Sequence, residues 1–169
     1  MTKTLLDDAF AHHMWATLQV MDVCARLDPD QLEVTAPGTY GTILDTLRHI
    51  VGADSSYLFA LTGGKVQPID EEQMDLAELR RTTEGFADEY RSLLTTDLDP
   101  DLVVVRHRDD GSETHAPLGI RLAQVVHHGT DHRSQICTVL TTLGIEPPMI
   151  DVWDYADQDG RLTEIPPTT

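Results

Sequence analysis

The stretch "VVHHGTDHRSQI", residues 125–136, combines a helical pattern of apolar residues with three histidines. On a helix, Val125, His128, His132 and Ile136 fall on one side, because their spacings of three and four residues correspond to about one turn. The pattern therefore predicts a helix that carries two imidazoles toward the protein interior. A spacing of four is also the one at which a helix offers two ligands to a single ion.

Helical spacing of apolar residues recurs in three earlier segments of the chain. The four predicted helices run from about Thr4 to Leu27, from Thr42 to Leu61, from Asp70 to Leu94, and from Pro117 or Leu118 to Leu143. Four long helices with short connections predict an all-α fold, namely a four-helix bundle.

The segment 101–117 breaks this helical pattern. It reads "LVVVRHR", then "DDG", then "SETHAP", so β-branched residues flank a turn sequence. We predict a short β-hairpin that turns at Asp110-Gly111 and packs on the helices just before the last long helix.

A chain of 169 residues fits one domain, which can bury a full core without disulfides or a structural metal. We divide it into a bundle, residues 1–155, and a C-terminal tail, residues 156–169, that is partly disordered. Trp153 and Tyr155 are predicted to anchor the segment after the last helix. A metal in such a domain is expected to serve function rather than folding.

The charge balance excludes two classes of partner. Twelve basic residues against 29 acidic ones give a net charge of −17 at pH 7, which repels nucleic acid and anionic membrane surfaces. No apolar run reaches the roughly 18 residues of a membrane span, and the first residues do not read as a signal peptide. Cys24 and Cys137 form no CxxC pair, so they predict reduced thiols in a cytoplasmic protein.

A third histidine bears on the meaning of the first two. His49 lies in "LRHIVGAD", residues 47–54, near the apolar face of the second helix. Three imidazoles that converge inside a bundle are costly if left unpaired. Three histidines with an open fourth position are the ligand set of catalytic zinc and related divalent ions. On the residues alone, both a metal site and a partly buried polar patch remain open.

Several motifs together resemble one known family. They are "FAHHMWATLQVM", "LRHIVGAD", and "VVHHGTDHRSQICTVLTTLGIEPPMIDVWDY" with its pattern H-x-x-x-H-R-[GS]-Q, L-G-x-x-P-P and I-D-x-x-x-Y. This combination is similar to the DinB family of small helical proteins, which is also grouped with YfiT-like metalloenzymes. The similarity extends to about Tyr155.

The resemblance implies a four-helix bundle, often dimeric, with a divalent ion held by His49, His128 and His132. Ser134 stands where the family usually has glycine, outside the metal shell. Zinc, nickel and iron all suit three histidines. We also expect a homodimer, with weak support from the apolar faces of the first and third helices.

The same resemblance implies an activity, because characterised members include transferases and isomerases that use thiols such as mycothiol or bacillithiol. We expect a metal-dependent S-transferase or thiol-dependent isomerase that takes a small-molecule thiol and an electrophile. Two alternatives are a hydrolase that uses metal-activated water and a non-catalytic, metal-binding stress-response bundle.

Four other polar residues near the motif are candidates for supporting roles. Arg133 is the candidate catalytic residue, and it either contacts an anionic substrate or pairs with a carboxylate. Asp131 and Gln135 are candidates for orienting an imidazole. Asp45, one turn before His49, caps its helix or joins the site.

The remaining histidines and the two cysteines receive no catalytic role. His127 points about 100° away from His128 on the helix. One of His12 and His13 is a candidate for lining the cavity. His107 and His115 are expected to face each other loosely across the hairpin. Cys24 and Cys137 are interpreted as small core residues.

Overall fold

The computed structural model describes residues 4–108, 110–165 and 167. It contains the helices α1 (Leu5–Cys24), α2 (Pro29–Leu32), α3 (Ile43–Leu61), α4 (Leu76–Leu94), α5 (Leu118–Thr142) and α6 (Val152–Gln158), and a 3₁₀ helix at Glu71–Gln73. The strands β1 (Val103–His107) and β2 (Glu113–Pro117) pair in antiparallel fashion before α5. The predicted all-α bundle with a hairpin before its last long helix is therefore confirmed.

The four long helices surround one core. Helix α1 packs against α4 and α5, and α3 packs against the same two helices. Apolar side chains at helical spacing meet in the middle, which removes their surface from water. They include Phe10, Met14, Val20, Leu47, Ile50, Leu58, Leu79, Phe86, Leu122, Val125, Ile136 and Leu140. Within the described part of the chain, no helix is both long and apolar enough to cross a bilayer.

Two helix boundaries differ from the sequence prediction, and a side-chain cap explains one of them. The third long helix begins at Leu76 rather than near Asp70, because Asp75 and Glu78 form a capping box. The first long helix ends at Cys24 rather than Leu27. Asp28 and Pro29 then start the separate helix α2, and proline disfavours a helical residue before it.

The hairpin turns where the sequence predicts, and it packs on the bundle. Gly111 adopts a φ of 81°, a left-handed conformation that glycine reaches without strain. The buried Arg121 guanidinium of α5 donates to the carbonyl oxygens of Val104 and Thr114, at 2.9 and 2.8 Å. One side chain thus ties both strands to the last long helix.

The segment after α5 forms a short helix that the sequence analysis did not predict. Tyr155 packs against Trp15, with ring centroids 5.5 Å apart, so its predicted anchoring role is confirmed. Trp153 is 70% exposed, so its predicted anchoring role is wrong. Two residues two positions apart on a helix point about 200° apart, so they cannot face the same partner. Residues 166, 168 and 169 of the predicted disordered tail lie outside the described residues.

Gly129 permits the close approach of α1 and α5, which leads to a stability prediction. A Cβ atom built on Gly129 would lie 2.1 Å from Cε1 of His13, whose ring is fully buried. We expect Gly129→Ala to lower the free energy of unfolding by about 1–3 kcal/mol, since the ring cannot move aside without disturbing the core.

Gly85 supplies the matched control for that substitution. It is exposed in the interior of α4, and a Cβ atom there would meet no atom within 4 Å. Gly85→Ala should therefore raise the free energy of unfolding by about 0.5–1 kcal/mol. Urea denaturation measures both changes, and equal effects would contradict the close contact at Gly129.

Candidate metal centre

The structure brings together three histidines from two helices. His49 extends from α3, and His128 and His132 extend from successive turns of α5. Each offers one ligand atom, and these atoms all lie within 4.8 Å of one another. The Nε2 atoms of His128 and His49 are 3.0 Å apart. The group that the sequence predicts is therefore assembled in space and could hold a metal ion.

Two of the three imidazoles are poor bases in this environment. Burial, with smaller contributions from His132 and His49, lowers the pKa of His128 to about 4. Burial and then His132 also lower the pKa of His49. Both rings are neutral at pH 7, and a neutral imidazole keeps the lone pair that a metal ligand needs.

Gln135 fixes the orientation of the third imidazole. Its side-chain oxygen lies 3.2 Å from Nδ1 of His132, so the ring donates from Nδ1 and keeps its Nε2 lone pair free. The same oxygen accepts the backbone N–H of Tyr40 at 2.9 Å. Gln135 thus plays the orienting role that the sequence predicts, whereas Asp131 is exposed.

Two tyrosines that the sequence analysis did not select cover the cluster. The Tyr40 ring stacks on His49, with centroids 4.0 Å apart and planes 11° apart. It also meets His132 edge-on at 5.4 Å, and Tyr57 meets His128 in the same way at 6.0 Å. Tyr40 directly precedes the first turn of α3, but the sequence alone does not indicate the direction of its ring.

One side of the cluster borders a polar cavity of about 550 Å³. His49 lines it together with Tyr40, Gly41, Asp45, Arg48, Glu71, Glu72 and Gln73. Asp45 follows the Thr42 cap and pairs with Arg48 at 3.6 Å, so it serves the start of α3. A larger, mainly apolar cavity of about 740 Å³ lies between α1, α4 and α6, and none of the three histidines lines it.

Arg133 belongs to a buried polar network rather than to these cavities. It is 1% exposed, and its guanidinium donates to Nδ1 of His13 at 2.8 Å. His13 in turn donates from Nε2 to the buried carboxylate of Asp54, at 3.2 Å from each oxygen. Tyr90 also donates to that carboxylate, at 3.3 Å. The structure thus places Arg133 in an ion pair bridged by His13; its contact with substrate stays a prediction.

Burial lowers the pKa of Arg133 to about 10, so the guanidinium remains charged at pH 7. Because its N–H groups can only donate, Nδ1 of His13 must accept and Nε2 must carry the proton. The bridge therefore defines a neutral His13 in one tautomer. His13 contributes to this network and is not part of the three-histidine cluster.

Three further histidines, His12, His107 and His115, have structural partners. His12 donates from Nε2 to the carbonyl oxygen of Ile150 at 2.8 Å, which attaches the segment after α5 to α1. His107 and His115 do not face each other, because the strand register places His107 opposite Glu113. Both instead contact the Glu113 carboxylate, at 3.0 and 2.8 Å.

The two cysteines are free and poorly reactive. Cys24 is fully buried, and burial raises the pKa of its thiol to about 12. Burial also raises the pKa of Cys137. A thiolate is the nucleophilic form of cysteine, so neither residue is suited to attack a substrate at pH 7.

Comparison with known proteins agrees with this geometry. The sequence model of the DinB family matches residues 1–165. No curated protein is similar enough to the chain to count as a match.

Proposed function

The chain belongs to the DinB family, and from that premise we propose that it is a metal-dependent enzyme that uses a low-molecular-weight thiol. The proposed reaction is S-transfer to an electrophile, or an isomerisation that depends on the thiol. The observation that carries the proposal is a three-histidine group beside an open polar cavity. Burial raises the pKa of both Cys24 and Cys137, which favours an external thiol as the source of the nucleophilic sulfur.

The residues present fit a divalent ion. Zn–N bonds of about 2.0–2.1 Å in a tetrahedron separate neighbouring nitrogens by about 3.3 Å. The 3.0 Å between the Nε2 atoms of His49 and His128 is close to that separation. Three imidazole nitrogens suit zinc, nickel and iron. When bound, the ion supplies Lewis acidity that keeps a coordinated thiol deprotonated near neutral pH.

The protein's side chains support this use of the site. Gln135 holds the His132 ring in one tautomer, and the rings of Tyr40 and Tyr57 pack against the imidazoles of His49 and His128. Three neutral ligands leave the ion's charge uncompensated, which favours an anion in the remaining position. Among the described residues, the grouped ligand atoms come from the three histidines alone, which favours an enzyme over a closed structural site.

Hydrolysis by metal-activated water is the second candidate. It needs a nearby base, and the sequence offers no glutamate in an H-E-x-x-H motif. Glu71, however, lines the same cavity as His49, so a carboxylate is available near the cluster. This observation keeps the hydrolase as the alternative to be tested beside thiol transfer.

Cobalt substitution tests the thiol proposal directly. We expect a thiol added to the cobalt protein to produce an intense sulfur-to-metal charge-transfer band in the near ultraviolet. Titration with mycothiol, bacillithiol, glutathione and cysteine ranks the candidates. If none changes the spectrum at millimolar concentration while small carboxylates or phosphates do, the proposal is wrong and the hydrolase takes its place.

We also propose that the protein is a cytoplasmic homodimer that binds small molecules and not nucleic acid. Its net charge of −17 and its free cysteines support the location and the ligand class. Exposed Leu5 and Leu6 on α1 support self-association, whereas the large apolar side chains Leu79, Phe86 and Tyr90 of α4 are buried within the protomer. Light scattering should give twice 18.8 kDa at micromolar concentration, and a mass of 18.8 kDa would contradict the dimer.

A further inference from the structure

Glu71 lies against α3 at a position where only glycine leaves room for it. A Cβ atom built on Gly52 would lie 2.4 Å from both Cδ and Oε1 of Glu71, and 2.8 Å from its Cγ. Any other residue at position 52 would occupy the space that the carboxylate now takes. The absence of a side chain at Gly52 therefore lets an acid approach the helix surface closely.

The position of Glu71 relates directly to the histidine cluster. Gly52 follows His49 by three residues, so the two lie on neighbouring turns of one side of α3. Glu71 and His49 also line the same cavity of about 550 Å³. The Glu71 side chain thus lies along the helix that supplies one candidate ligand, and it lines the same cavity as that ligand.

Hydrogen bonds fix the backbone on both sides of Glu71. Before it, the N–H of Ile69 donates to the hydroxyl of Ser55 at 3.4 Å. After it, Nε of Arg48 donates to the carbonyl oxygen of Met74 at 3.1 Å. The segment that carries Glu71 is therefore attached to α3 at two points about two turns apart.

The carboxylate of Glu71 is available for chemistry. Its residue is half-buried, and within the described part of the chain no hydrogen bond or ion pair engages its side chain. The other acids of the cavity differ, because Asp45 pairs with Arg48 and Glu72 is exposed. Glu71 thus combines partial burial, a place in the cavity that His49 lines, and free acceptor oxygens.

We propose that Glu71 is the proton acceptor of the site, an inference that rests on the proposed thiol chemistry. When a thiol occupied the cavity beside the imidazoles, its S–H bond would break and an O–H bond would form on the Glu71 carboxylate. The electron pair of the S–H bond would stay on sulfur, which would become the thiolate that a bound ion stabilises. Solvent water would then take the proton from Glu71.

Three variants of the cobalt-substituted protein test this role. Glu71→Gln removes the base, and Gly52→Ala displaces the carboxylate without changing its chemistry. Glu89→Gln is the matched control, at an exposed glutamate of α4 that does not line the cavity. We expect the sulfur-to-cobalt band to appear about 100-fold more slowly or worse in E71Q and G52A. Cobalt content and final band intensity should persist, and E89Q should match the wild type. The double variant G52A/E71Q should be no slower than E71Q.

A second readout needs no thiol. The visible spectrum of the cobalt protein reports deprotonation of the ligand in the open position as pH rises. Removal of a nearby negative charge favours the deprotonated form, so E71Q and G52A should lower the pH midpoint. E89Q should leave the midpoint unchanged, because the charge of Glu89 is exposed, screened and outside the cavity.

The outcomes separate this inference from the proposed function. If the sulfur band forms as fast in E71Q as in E89Q, Glu71 is not the proton acceptor, whatever the midpoint. Loss of cobalt from E71Q would also overturn the inference, since Glu71 would then be a ligand or a structural residue. If the wild type shows no sulfur band with any thiol, the thiol proposal fails and the proton-acceptor role fails with it. An unshifted midpoint in E71Q would separately overturn the placement of the Glu71 carboxylate beside the open position.

Discussion

Replacing His128 with alanine should remove most of the bound metal while leaving the helices formed. His128 contacts both other members of the cluster, because its Nε2 lies 3.0 Å from Nε2 of His49 and its ring centroid lies 4.5 Å from that of His132. Mutation of a group that only orients a metal ligand lowers metal affinity by about 10–100-fold. Loss of a ligand itself should therefore lower metal affinity by more than about 100-fold. The apolar core does not depend on the ion, so the fold should persist.

His127→Ala is the control for that experiment. His127 is exposed and points about 100° away from its neighbour, so its loss should leave metal content unchanged. Elemental analysis after purification without a metal-affinity tag measures occupancy, and circular dichroism measures helix content. Full occupancy in H128A would show that the ligand assignment is wrong. An unfolded variant would point instead to a structural metal.

The histidine cluster was predictable because two of its members share one helix. The spacing of two residues on a helix fixes the relative directions of their side chains. The stretch "HHGTDH" therefore places His128 and His132 on one side of a helix without any knowledge of the fold. To predict that His49 joins them, we had to assume further that the apolar faces of the two helices meet. The resemblance to the DinB family supplied that pairing, and the structure places the imidazoles within reach of one another.

The residues around the cluster were not predictable, for a physical reason. Tyr40 and Glu71 come from connections between helices, and the path of a connection has no period that a sequence reveals. Glu71 even fell within the predicted third helix, which in fact begins after the cap at Asp75. The partnership of His13 with Asp54 links residues 41 positions apart, so local spacing carried no signal for it.

Helix α5 contributes to the histidine cluster from one face and to a buried polar network from the adjacent face. His132 points toward α3, and the next residue, Arg133, points into the interface with α1. The buried network of Arg133, His13, Asp54 and Tyr90 joins all four long helices. Since α5 carries two candidate ligands, the network that positions α5 also positions the cluster.

Replacing Arg133 with methionine should therefore destabilise the protein strongly. Methionine fills much of the same volume but leaves the Asp54 carboxylate, which is 2% exposed, without its countercharge. Removal of one partner from a buried ion pair costs about 3–5 kcal/mol. Urea denaturation with a chelator present measures this loss without any contribution from bound metal.

The surface pair of Arg80 and Asp22 provides the comparison, because its side chains are 37% and 46% exposed. Arg80→Met should cost less than about 1 kcal/mol, since water screens an exposed pair. The double variant R133M/D54N should lose less stability than the sum of its single changes, because it removes the buried charge that R133M leaves unpaired. A coupling of about 0.5–3 kcal/mol is expected. Two outcomes would show that Arg133 and Asp54 do not act as a pair through His13. One is that the losses of unfolding free energy in R133M and D54N simply add in the double variant. The other is that R133M loses no more unfolding free energy than R80M.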